Sequence, residues 1–120
     1  MKYAISISMI MLLSVAFGQV SGQSGNQFFA QFKYVDDYNA QDINSLEQAL
    51  KQHQDIQMVR VDRINGGVYL ITKNRNSLTE STVYSWASIA SDDVLCYYQG
   101  IFQVDEVFTF DENFCSKANN

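Results

Sequence analysis

Residues 55–74, DIQMVRVDRINGGVYLITKN, decide the fold. Val59 and Val61 alternate with Arg60 and Asp62, and Val68, Leu70 and Ile71 form a second apolar run. Alternation of this kind is the signature of strands with one buried face. Between the runs lies Asn65-Gly66-Gly67, whose residues tolerate the positive φ angles of a tight turn. The segment predicts two antiparallel strands joined as a hairpin.

Upstream, Phe28, Ala30, Phe32 and Tyr34 alternate with Phe29, Gln31, Lys33 and Val35, so another half-buried strand is expected. Asp36-Asp37-Tyr38-Asn39 breaks it with turn-forming residues. Ile43, Leu46, Ala49, Leu50 and His53 then share one helical stripe, which predicts a helix over about 40–53 with Asn39 as its cap. Downstream, Ser77-Leu78-Thr79-Glu80 reads as a capping box, followed by the stripe Val83, Trp86, Ala87 and Ala90. That second helix either runs on through Val94 and Tyr97 to Gly100, or ends near Ala90 and opens a loop at Ser91-Asp92-Asp93. Phe102, Val104, Phe108 and Phe110 alternate with Gln103, Asp105 and Thr109, which predicts a final strand over 101–110.

The order strand, helix, strand, strand, helix, strand predicts an α+β chain. The expected architecture is a ferredoxin-like βαββαβ sandwich, a four-stranded antiparallel sheet with both helices on one face. The opposite sheet face is then open or covered by a partner. Phe29, Val35, Met58, Tyr69 and Ile71 are its candidate residues, and Phe29, Met58, Tyr69 and Ile71 form the candidate partner surface.

Residues 43–71, INSLEQALKQHQDIQMVRVDRINGGVYLI, resemble the heavy-metal-associated domain family. There a first helix leads into a valine-x-valine-aspartate strand and a glycine turn, as Val59-Arg60-Val61-Asp62 does here. The resemblance covers about thirty residues well and the rest only through element order. It implies a fold more than an activity. The family's metal site is a Cys-x-x-Cys before the first helix, and the corresponding residues 36–42 hold neither sulfur nor histidine. The ligands do not carry over, so no metal site and no cofactor are assigned.

The start of the chain gives an address. Lys2 precedes an apolar run of about fifteen residues, Tyr3 to Phe17, and small residues follow at Gly18 and Ser21-Gly22. This is the layout of a secretory signal peptide over 1–18, with cleavage at 18 or 22. Residues 19–27 read as a flexible lead-in and 28–120 as one domain. The protein is expected to be exported, secreted or periplasmic, without a membrane segment in its mature form, and monomeric.

Charge and cysteines narrow the function. The formal net charge of −5 becomes −6 once Lys2 leaves with the leader, and the few bases are dispersed. Nucleic acid is a poor partner for such a surface. Cys96 and Cys115 are the only thiols, and in an exported chain they are expected to pair, adding about 3 kcal/mol. A ten-residue final strand would carry the chain roughly 30 Å from Cys96, so that pairing requires an earlier helix end, a shorter strand, or a bond between molecules.

No catalytic residues are assigned. His53 is the only histidine and reads as a structural residue at a helix end. The loop acids Asp36, Asp37 and Asp42 fit no calcium loop, and the acids at 92–112 read as a solvated surface. The expected function is a non-catalytic binding or accessory domain that recognises a protein partner through an open sheet face or a strand edge. The alternative is an extracytoplasmic metal-handling protein with altered ligands, which needs both cysteines reduced.

Overall fold

A computed structural model describes residues 25–119. The expected signal peptide and residues 19–24 of the lead-in lie outside the described residues. The order is β1 (Phe28–Tyr34), α1 (Ala40–Gln52), β2 (Ile56–Asp62), β3 (Gly67–Thr72), α2 (Glu80–Ala87), a 3₁₀ turn (Ser91–Asp93), β4 (Val94–Ile101) and α3 (Phe114–Ala118). The chain is α+β, with one four-stranded antiparallel sheet in the order β2-β3-β1-β4 and three helices. No helix among the described residues is long and apolar enough to cross a membrane.

Local chemistry places each element. Asn39 stands outside α1 in extended conformation and its side chain accepts from the Gln41 amide, as a cap should. His53 closes the other end of α1, its amide donating to the Leu50 carbonyl. Its Nδ1 accepts from the Asp55 amide at 3.1 Å, so the imidazole shapes the turn into β2. Gly66 has φ of +71°, the left-handed conformation that the hairpin turn requires. At α2 the cap is Thr79, which accepts from the Thr82 amide, rather than Ser77 of the expected capping box.

The core lies between the sheet and the first two helices. Ala30, Phe32 and Tyr34 of β1 and Val68 and Leu70 of β3 pack with Leu46 and Leu50 of α1 and Val83, Tyr84 and Ala87 of α2. Fully burying a side chain such as Phe32 contributes roughly 1.5–3 kcal/mol each. Trp86 packs on the margin of this core, with the Arg75 guanidinium 4.8 Å above its ring and His53 beside it.

The C-terminal third departs from the sequence expectation. The final strand is Val94–Ile101, not 101–110, whereas α2 ends at Ala87, close to the earlier of its two expected ends, with Ser88 in left-handed conformation and a 3₁₀ turn at Ser91–Asp93. Val94 and Tyr97 thus belong to a strand and not to a helical stripe. After Ile101 the chain turns sharply. Gln103 takes φ of +69°, and the Val104 and Asp105 amides both donate to the Ile101 carbonyl. A β-strand through 102–105 is incompatible with that turn. Residues 106–113 instead run back over the far face of the sheet as a strap that ends in α3.

The return of the strap resolves the distance that a long final strand would have opened. Cys115, in α3, reaches Cys96 in β4 with Cα atoms 5.4 Å apart, and the two form an intramolecular disulfide. At the other end of the domain, Asn26 pairs with Arg75 and the Gln27 carbonyl accepts from the Phe102 amide. The last residues of the expected lead-in are therefore fixed to the sheet.

Candidate functional site

The register defines what the far face presents. Phe29, Gln31 and Lys33 of β1 lie opposite Ile71, Tyr69 and Gly67 of β3, and opposite Gly100, Tyr98 and Cys96 of β4. Met58 and Arg60 of β2 lie opposite Ile71 and Tyr69. Sheet alternation puts all of these on the side away from α1 and α2.

This face is covered over β1, β4 and part of β3, which corrects the expectation of an open surface. Phe29 is 0 % exposed and Ile71 6 % exposed. Phe29 contacts Tyr69 and Tyr98 at ring separations of 6.2 and 5.6 Å, and Phe108 of the strap lies on Tyr98 at 4.6 Å. Gln31 is 1 % exposed, and its side-chain amide clasps one residue of the strap. Its Nε2 donates to the Phe108 carbonyl at 2.6 Å and its Oε1 accepts from the Phe108 amide at 2.9 Å. A buried glutamine satisfied at both ends in this way is a strong local constraint, because either bond left unmade strands a desolvated polar group.

Further contacts fasten the strap along its length. The Tyr98 hydroxyl donates to the Glu106 carbonyl, and Lys33 Nζ donates to the Asp111 carbonyl. Phe110 packs against Phe114 with ring centres 4.9 Å apart, and Phe114 is fully buried. Phe110 rests where Gly67 has no side chain. A Cβ built there would fall 2.5–2.6 Å from ring carbons of Phe110. Gly67→Ala is therefore expected to cost about 1–2 kcal/mol by overpacking and to dislodge Phe110. Urea denaturation checks this, and an unchanged midpoint would show that the ring is not held there.

Met58 and Tyr69 differ from Phe29 and Ile71. Both are half-buried on the β2–β3 side, where Tyr69 shares a groove wall with Phe110 at the margin of the strap. Of the four expected partner-surface residues, this pair remains accessible and the other pair belongs to a second, smaller core. Along the boundary runs an open groove of ≈ 600 Å³ lined by Arg60, Val61, Asp62, Arg63, Ile64, Tyr69 and Phe110. Ile64, in the hairpin turn, is 95 % exposed.

The charges along the groove are unequally engaged. Asp62 accepts from the Asn65 side chain and amide at 2.9 and 3.0 Å, and these hydrogen bonds, the side-chain one first, hold its carboxyl below the usual range. Arg63 bonds Glu47 at 2.9 Å and also reaches Asn44, which ties the hairpin to α1. Arg60 makes no ion pair among the described residues. Burial raises the phenol of Tyr69, and the nearby Arg60 charge opposes that rise.

The arrangement can hold a ligand by contact and hydrogen bonding. The two sulfurs needed by the metal-handling alternative are joined to each other. Among the described residues no group of three or more His, Cys, Asp or Glu side chains is placed to hold a metal ion.

Arg60, Phe110 and the Gln31 clasp escaped sequence reasoning. Gln31 carried a faint signal, as the one uncharged polar residue in the apolar run 28–32. Arg60 carried one as the residue facing away from the valine stripe. Phe110 carried none, because its neighbours are set by the return of the strap. Compared with protein family models, with curated proteins and with solved structures, the chain matches none.

Proposed function

We propose that this protein is a small exported binding or accessory domain on a ferredoxin-like scaffold, recognising a protein partner without catalysing a reaction. The strand order β2-β3-β1-β4, with one helix between β1 and β2 and another between β3 and β4, supports that scaffold. It is also the arrangement that the resemblance to the heavy-metal-associated family implies. The bonded cysteines and the charged-then-apolar start of the chain support export, since disulfides persist in oxidising compartments.

The observation that carries the reading is the division of the far face. One half is sealed by the chain's own strap, and the other, with Met58, Tyr69 and the groove, lies uncovered beside an edge strand. Sheet edges with adjoining pockets are a recurrent mode of peptide and protein recognition.

The test is capture of partners from the extracytoplasmic fraction of the protein's own cells. Immobilised wild type is compared with Met58→Ala and Tyr69→Ala. The expected result is loss of captured protein in both variants with unchanged far-UV circular dichroism. Capture that survives both substitutions overturns the reading. Phe29 and Ile71 are unsuited to the test, because their truncation opens a cavity in the covered half.

A further inference from the structure

We propose that the occupant of the uncovered half is an extended acidic peptide, added as a fifth strand along the outer edge of β2 with a carboxylate on Arg60. The inference rests on the binding-domain reading above and names the chemistry of its partner.

Three observations converge on it. The first concerns the backbone. β2 is terminal in the sheet and pairs only with β3, and among the described residues no backbone hydrogen bond from outside the sheet reaches residues 57–62. The outward amides and carbonyls of an edge strand are a template for another strand. Natural edges are usually guarded by proline, bulges or a covering loop. β2 has no proline, and its register shift is confined to its first residues, between Ile56 and Met58.

The second concerns charge. The chain is acidic overall, yet of the three β2 residues that line the groove, Arg60, Val61 and Asp62, Arg60 is a cation without a carboxylate partner among the described residues. The neighbouring acid, Asp62, is occupied by the Asn65 turn, and Arg63 is occupied by Glu47. Arg60 is thus the groove charge still available. A guanidinium presents a planar fork suited to a carboxylate.

The third concerns shape. On an added strand every second side chain faces the groove, at a spacing of about 6.5–7 Å. An aromatic side chain two residues from the carboxylate leans over β2 onto Tyr69 and Phe110, whose half-buried rings form the inner wall.

The other occupants fit less well. A second copy pairing through β2 would bring the arginines of two edges together, with acidic surfaces around them. A basic peptide meets Arg60 directly.

The experiment uses the disulfide-bonded protein labelled with ¹⁵N and an acetylated, amidated heptapeptide, Thr-Glu-Thr-Phe-Thr-Glu-Thr. Its counterpart with lysine in place of both glutamates is the control. The glutamate peptide is expected to shift the amides of 57–62 together with those of Tyr69 and Phe110, with a Kd of about 1 mM or tighter. Arg60→Glu, an exposed change, is expected to weaken binding about tenfold, and the lysine peptide to bind about tenfold less well. No shift in β2 with the glutamate peptide, or equal shifts with both peptides, overturns the acidic-strand proposal. If that occurs while Tyr69→Ala still abolishes partner capture, the binding-domain reading stands and only the chemistry assigned to its partner falls.

Discussion

Replacing both cysteines by serine is expected to lower the stability of the domain by about 3 kcal/mol and to free the strap from the sheet. The bond closes a loop between positions 19 residues apart, Cys96 in β4 and Cys115 in α3. In the chain-entropy account, its removal restores the freedom of that loop to the unfolded state. The folded state also suffers. α3 is only five residues long and cannot persist as an isolated helix, so the bond and Phe114 are what keep it on the sheet. For a domain of this size 3 kcal/mol corresponds to a fall in Tm of about 12–24 °C. Urea denaturation followed by Trp86 fluorescence measures the global loss. Amide exchange at Phe108 measures the local one, since that amide is held by Gln31. Fast exchange at Phe108 with protected amides in β3 is the expected pattern. A midpoint within about 0.5 kcal/mol of wild type would show that the strap is held by packing alone.

The same strap explains which parts of the fold were legible in the sequence. β1, α1 and the β2–β3 hairpin each carry a local signal with a physical cause. Strand alternation at 28–35, the Asn39 cap and the Asn65-Gly66-Gly67 turn are all satisfied by residues within a few positions of one another. β4 lacks such a signal because its two sides are both apolar. Tyr97 packs toward the helices, while Cys96 and Tyr98 lie under the strap. A strand with apolar residues on both sides loses the two-residue period and is easily read as part of a helical stripe. The converse error arose at 102–110, where alternation exists without a strand. Val104 is 74 % exposed, so its place in the pattern records no buried face. The apolar residues that matter there, Phe108 and Phe110, are chosen by their seats on Tyr98 and over Gly67, contacts that span the sheet. The candidate site was legible to the same extent. Strand periodicity identified the correct face, but only the path of the strap divides it into a closed half and an open one. That division separates Met58 and Tyr69 from Phe29 and Ile71.

Phe114→Ala is expected to cost about 3–5 kcal/mol. The ring is fully buried, packs on Phe110 and is the one apolar anchor buried by α3. Its removal leaves a cavity that the strap cannot close by moving inward, because Cys115, the next residue, is fixed to β4. The variant therefore differs from the double serine variant in a useful way: the tether stays and the packing goes. Trp86, in α2 beside the end of α1, lies on the opposite side of the sheet, and its fluorescence reports the helix-side core. A shift of the Trp86 midpoint in Phe114→Ala means that the layers on the two sides of the sheet unfold as one cooperative unit. That is the expected outcome, since Phe29, Gln31 and Ile71, all buried on the far face, belong to the two central strands whose other faces build the main core. A Trp86 midpoint that stays fixed while Phe108 exchanges freely would instead make the strap a separately melting cover. The open half beside Tyr69 would then widen across the whole face whenever the cover lifts, and Phe29 and Ile71 would rejoin Met58 and Tyr69 as a single recognition surface.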